Sequence, residues 1–321
     1  MNNMTEAQWW KNFSLGEELS VAGTFIYNGL RRFYELRQLD YADDLFEVLY
    51  HFSIGIERLM KIAIILLEHE DTGDQEAFEN SLTTHNHQAL LARIQKHKDF
   101  KLSNQQNAFL QLLTRFYENL RYDRFSLRFP LPLEKEKHEL LAFLERHLKT
   151  DCEDRSSIFA HENTDQYKKF IRTIVTNISS GIYEIVRGRA GELNLYTYEL
   201  RHGSKAEAVF LGGADIPAED VLWKELLIFF MNTKETSGYL KFLREIEPLD
   251  FDPGLAADYL DCFQSDSARA QVIDELETLY EDIPDTKDRL AMMGVIGTHN
   301  LYFPADDEDF EEAAGSDPIN G

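Results

Sequence analysis

Apolar residues in the first half of the chain return at steps of three and four, the spacing that lines one face of a helix. Between Leu15 and Leu39 the series Leu19, Ala22, Phe25, Ile26, Leu30, Phe33 and Leu36 predicts a first long helix. The pattern resumes from Tyr41 through Leu45, Leu49, Phe52, Ile56, Leu59, Ala63 and Leu67. There Met60, Ile62, Ile64, Ile65 and Leu66 make the second half apolar on most sides, so this helix is expected to be the most buried. A break at Asp71, Thr72, Gly73 and Asp74 precedes a third, shorter helix from about His87 to His97, with Leu90, Leu91 and Ile94 inward. Ser103, Asn104 and Gln106 open a fourth, carrying Phe109, Leu113, Phe116 and Leu120, and Pro130 and Pro132 end it near Leu127.

Lys135 to Lys149 reads as a fifth helix, followed by a polar break from Thr150 to Ser157. Tyr167, Ile171, Ile174, Ile178, Ile182 and Ile185 define a sixth, which Gly188 and Gly191 are expected to stop. The period then changes: Leu193, Leu195, Tyr198 and Leu200, and after them Ala208, Phe210 and Leu211, flank His202-Gly203-Ser204 as two short strands would flank a turn. Helical patterning returns over Ala218 to Glu245, Ala256 to Phe263 and Ala268 to Glu281, and the acidic, polar stretch Asp306 to Gly321 is expected to be mobile. The fold class is therefore mainly α: a helical bundle with one short β-hairpin and an additional C-terminal helical region. Its parts are a bundle over 1–130, a helical extension over 131–245 with the hairpin near 193–211, an acidic helical region over 246–305, and a flexible tail over 306–321.

Charge changes this picture at one end. The chain of 321 residues carries a formal net charge of −24, yet Glu245 to Gly321 holds 21 acidic residues against 3 basic ones, a balance of −18 that leaves −6 for residues 1–244. An acidic tail repels nucleic acid, so a nucleic-acid contact has to come from the N-terminal part, while Asp250 to Glu312 suits a basic protein partner, as a nucleic-acid mimic or inhibitor would. No apolar run approaches the roughly 18 residues needed to span a bilayer, and the N-terminus lacks a signal-peptide pattern. Two cysteines far apart, Cys152 and Cys262, form neither a disulfide framework nor a zinc knuckle, which points to a reducing, cytoplasmic setting. The chain lacks a glycine-rich phosphate loop, a Gly-x-Ser-x-Gly elbow and a cysteine with a nearby histidine, and no cofactor is expected.

Two stretches carry candidate chemistry. Thr84-His85-Asn86-His87 stands at a helix entrance, where capping by Thr84 or Asn86 competes with a metal site that needs a further ligand, so no metal is assigned. In RFYENLRYDRFSLRF, Arg115, Arg121, Arg124 and Arg128 alternate with Phe116, Tyr117, Tyr122, Phe125 and Phe129. Guanidinium groups that pair with phosphate, interleaved with rings that stack on bases, suit a nucleotide or RNA surface. The competing reading makes the rings a buried stripe and pairs the arginines with carboxylates such as Glu118 and Asp123.

The apolar helix with its core GIERLMKIAI, then Thr84-His85 leading into QALLARI, then FYENLRYDRF, resembles the HEPN superfamily (higher eukaryotes and prokaryotes nucleotide-binding domain) over about Leu15 to Leu127. The resemblance implies a four-helix bundle, a homodimer, and work in prokaryotic stress or phage defence. It makes His85, Arg121 and Tyr122, with Arg124 beside them, the contacts to a nucleotide, RNA or partner. Ribonuclease members carry an Arg followed four to six residues later by His; no His follows Arg121 or Arg124 in that window. The alternative, a metal-independent ribonuclease of toxin type, would use Arg155 with His161, or Arg93 with His97, as its catalytic pair. A binding role therefore stands ahead of an enzymatic one.

Overall fold

The computed structural model of the chain describes residues 4–121, 135–148, 161–195, 197–201, 203–211, 216–235, 237–263 and 266–298. The expected helix end near Leu127, the polar break from Thr150 to Ser157 and the tail from Asp306 to Gly321 lie outside them. The chain divides into two units, residues 1–220 and residues 221–321.

The first unit starts with a short helix, α1 (Glu6–Trp9), opened by a reciprocal capping box between Thr5 and Gln8. A π turn at Trp10–Ser14 leads into α2 (Leu15–Glu35). After a bend comes α3 (Ala42–Glu68), against which α2 packs along much of its length. Two glycines permit this crossing: a Cβ on Gly55 would lie 2.6 Å from Ile26 Cγ1, and one on Gly29 would lie 2.8 Å from the Phe52 ring. α4 (Gln75–Ser81) and α5 (His87–His97) follow, the latter capped by Asn86, whose side chain accepts the Ala89 N–H at 2.9 Å. α6 (Asn104–Arg115) opens with the Ser103–Gln106 capping box and runs into a second π turn at Phe116–Leu120.

α7 (Lys135–Leu148) and α8 (Asp165–Glu192) complete the bundle around α3. Apolar residues cover α3 nearly all round because α2, α5, α6, α7 and α8 all pack on it. Phe52, Phe109, Phe143 and Phe170 form a file of ring contacts with centroids 5.6–5.9 Å apart, linking α3, α6, α7 and α8. One buried core runs from Leu15 to Ile216.

Two expectations change here. The sixth helix continues through Gly188, which keeps helical geometry, and ends only where Asn194 takes φ 55°, the left-handed conformation that Asn tolerates better than most residues. The expected hairpin is replaced by a 3₁₀ turn at Tyr198–Leu200 and a helix, α9 (Lys205–Phe210). Ser204 caps α9 by accepting the Glu207 N–H at 3.0 Å, and Phe210 is buried against Tyr183 of α8, so a local cap and a tertiary pocket outweigh the alternating pattern. Among the described residues, β pairing is limited to a single antiparallel bridge between Gln38 and Glu162.

The remaining helices are α10 (Ile216–Asn232), α11 (Gly238–Glu245), α12 (Ala256–Asp261), α13 (Asp266–Glu281) and α14 (Thr286–Val295). Within residues 221–298, Gly238 is the one buried position among those described, and large apolar side chains such as Leu222, Phe229, Phe230 and Met231 are exposed. Among the described residues no helix is long and apolar enough to cross a membrane.

Candidate functional site

Three stretches far apart in sequence meet at the ring of Tyr117. α3 supplies Tyr50, Glu57 and Lys61, which share a face because they stand seven and four residues apart. The connection between α4 and α5 supplies His85, and the π turn after α6 supplies Tyr117 and Arg121. In that turn the Arg121 N–H reaches back five residues to the Phe116 carbonyl, so the helix accommodates one residue more than an α turn. Phe116 stays in the core, edge-on to Phe46 at 5.2 Å, while Tyr117 lies nearly parallel to Tyr50 at 6.3 Å. Turns of this kind recur at functional sites because they re-aim side chains without ending the helix.

The Arg121 guanidinium carbon lies 3.8 Å from the centre of the Tyr117 ring, within cation–π range. The His85 ring lies 4.6 Å from the same centre, tilted by 44°. His85 Nδ1 is 3.0 Å from Glu57 Oε2; since a carboxylate accepts, Nδ1 is the donor of this hydrogen bond. Glu57 is itself buried and takes a 2.6 Å hydrogen bond from Lys61 on its other oxygen. The His85 side chain is 48% exposed, so the imidazole is held from behind and open in front. Burial raises the Tyr117 phenol above its ordinary value, with Arg121 acting in the opposite direction, and the hydroxyl stays protonated.

His87, two residues on, points the other way. It is fully buried, and its Nε2–H donates to the Ser53 carbonyl at 2.9 Å while its backbone N–H donates to Thr114 Oγ1 at 3.1 Å. Desolvation in the core lowers its pKa below 6.5, so it is neutral there. Two histidines at i and i+2 thus divide into a packed one and an open one. Among the described residues, no group of three His, Cys, Asp or Glu side chains is placed to hold a metal.

Arg93 and His97 are brought together by one carboxylate. Arg93 bonds both oxygens of Glu68, Nη2 at 2.5 Å and Nε at 3.3 Å, and His97 Nε2 lies 3.4 Å from Oε1. Arg93 also donates to the Ser81 carbonyl at 2.9 Å, so the cluster ties α5 to the ends of α3 and α4. Burial raises the Glu68 pKa, but the bonds and charges of Arg93 and His97 outweigh it and hold the carboxyl below its ordinary value. His161 is 9% exposed and sits on Asp40, which accepts its backbone N–H at 2.7 Å and faces its Nδ1 at 3.2 Å. Lys137 reaches the same Asp40 at 2.6 Å, and Asn163 donates to the Phe33 and Leu36 carbonyls, so this corner clamps the start of α8 to the end of α2.

Of the residues expected to act, His85 and Arg121 converge, Arg93 and His97 form a separate cluster, and His161 lies in a third place. Tyr122, Arg124 and Arg155 lie outside the described residues. Sequence reasoning missed Glu57 and Tyr50. The available signal for Glu57 was a carboxylate inside the helix expected to be the most buried, where an acidic side chain needs a partner. Compared with known proteins, the chain matches no family model, no curated protein and no solved structure.

Proposed function

We propose that the first unit is a HEPN-like binding module that takes single-stranded RNA, or its nucleotides, on the face formed by His85, Tyr117 and Arg121. The observation that carries this is the convergence of Arg121 at 3.8 Å and His85 at 4.6 Å on one tyrosine ring. Guanidinium and imidazole planes, seated on the buried Tyr117 ring, offer stacking to bases of any sequence, and the fixed positive charge suits the phosphate between them. The Glu57–His85 hydrogen bond holds the imidazole in one orientation, so less side-chain freedom is lost on binding.

A second reading, a metal-independent ribonuclease, draws support from Glu68, which brings Arg93 and His97 to one place. Incubation of the full chain with labelled single-stranded RNA in EDTA separates the two. Binding without cleavage, lost in Arg121→Ala and weakened in His85→Ala, supports the first; cleavage abolished by His97→Ala supports the second. RNA that binds Arg121→Ala as it binds the unchanged protein refutes the first reading.

A further inference from the structure

From Val221 to Asn232, α10 turns only Trp223 and Leu227 inward, and both stay half-buried; four residues apart, they share one side of the helix. Trp223 meets Phe263, just past α12, with ring centres 5.7 Å apart. Tyr259 of α12 in turn donates to Glu275 of α13 at 2.7 Å, so α10, α12 and α13 are joined through these contacts. Beside the packed side of α10, Leu222, Leu226, Phe229 and Phe230 follow at steps of four, three and one, which makes them a continuous stripe. They are 45–59% exposed, and the rings of Phe229 and Phe230 meet edge to face at 5.4 Å. Half of four side chains of roughly 200 Å² each leaves on the order of 400 Å² of apolar surface uncovered, a patch that on a monomer often marks function.

Charge selects what covers it. Residues 221–298 hold 16 acidic side chains against 7 basic ones, a balance of −9. On the three joined helices Glu225, Asp258, Asp274 and Glu277 are exposed carboxylates, and among the described residues none of them forms an ion pair. Glu225 stands three residues after Leu222 and four before Phe229, directly beside the stripe. A second copy of the chain would bring the same negative charge against this unit, and an anionic lipid surface would do likewise. We propose that the α10 stripe docks a basic amphipathic helix of a partner protein. The partner's apolar face lies on Leu222, Leu226, Phe229 and Phe230, and its lysines and arginines meet the surrounding carboxylates, the pairing by which a groove or face reads a helix with anchors on one side.

The stripe shares no residue with the Tyr117 face and does not depend on it. The test is fluorescence anisotropy of labelled synthetic peptides titrated with the full chain. One peptide of leucine and lysine carries its leucines on a single helical face; a second has the same composition with the leucines spread around the helix; a third keeps the first pattern with glutamate in place of lysine. The first is expected to bind about tenfold or more tightly than either of the others, since it alone matches stripe and charge together. Leu226→Asp, on an exposed side chain that leaves Trp223 and Leu227 in place, should weaken the first peptide about tenfold or more, the scale of a lost interface anchor. Val21→Asp, a comparable change on an exposed apolar residue of α2, should leave its affinity unchanged. Equal affinity for the first two peptides, equal affinity for the first and third, equal losses in the two variants, or no binding of the first peptide would each overturn the proposal. So would sedimentation that shows a dimer of the chain dispersed by Leu226→Asp, because the stripe would then be covered by a second copy.

Discussion

Replacing Gly55 by alanine places a methyl group where α2 and α3 cross. The new carbon falls 2.6 Å from Ile26 Cγ1, 3.0 Å from the Ile26 backbone nitrogen and 3.1 Å from Phe25 Cβ. A side-chain carbon can swing aside; a backbone nitrogen yields only if its helix moves. Gly to Ala within a helix by itself gains about 1 kcal/mol, whereas forcing a methyl group into a packed core costs typically about 1–3 kcal/mol. With backbone among the obstacles the upper part of that range applies, and the net expectation is a loss of about 1–2 kcal/mol. Gly188 supplies the control: it is also helical, and nothing lies within 4 Å of its added carbon, so Gly188→Ala should gain about 1 kcal/mol. The two variants share the helix-propensity gain and the effect on the unfolded chain, so their difference of about 2–3 kcal/mol isolates the packing cost. Urea unfolding followed by far-ultraviolet circular dichroism reads it as opposite shifts of the midpoint at a common slope. A Gly55→Ala protein as stable as Gly188→Ala would refute the close crossing of α2 and α3.

His87 ties stability to pH. It stays neutral in the folded protein because burial lowers its pKa below 6.5, so as pH falls from about 6.5 the unfolded chain takes a proton that the folded chain refuses. Stability should therefore decline from that point down to the folded pKa and level off beneath it, and His87→Gln should flatten the decline in urea midpoints over the window. Asp40 also loses its contribution as pH falls, from a different cause: burial raises its pKa, but Lys137 and His161 outweigh this and hold it below 3.8. Its contribution is present above about pH 3.8 and is lost as pH falls through the folded value. Asp40→Asn should cost about 1–3 kcal/mol at pH 7, measured by the same unfolding assay, and an unchanged midpoint would show that the corner with His161 carries no stability.

Much of the helical order was legible because burial and period agree. Leu90, Leu91 and Ile94 mark α5 at its observed length, and Ser103 with Gln106 mark the start of α6, since a capping box is a local signal that tertiary contacts need not overrule. Gln75–Ser81 escaped notice: it is a short helix with no buried residue and so leaves no apolar stripe. The region from Tyr198 to Phe210 misled because alternation over a few residues cannot be told from a one-turn helix whose buried side is set by Tyr183, a residue of another helix. The charge break at Glu245 does not coincide with the division at 220/221, because charge follows solvent and the division follows packing. In the candidate site, Arg121 and His85 were visible as residue types, but their meeting on Tyr117 rests on the π turn and on Glu57, neither of which has a sequence period.

The binding face is tested most directly by the salt dependence of single-stranded RNA affinity, measured for the unchanged protein and for Arg121→Ala by fluorescence anisotropy. If Arg121 neutralises one phosphate, the slope of log affinity against log salt concentration should become shallower by about 0.7 in the variant, with a loss of about 1–3 kcal/mol in binding free energy at moderate salt. Identical slopes and affinities in the two proteins would contradict the account and remove Arg121 from the site.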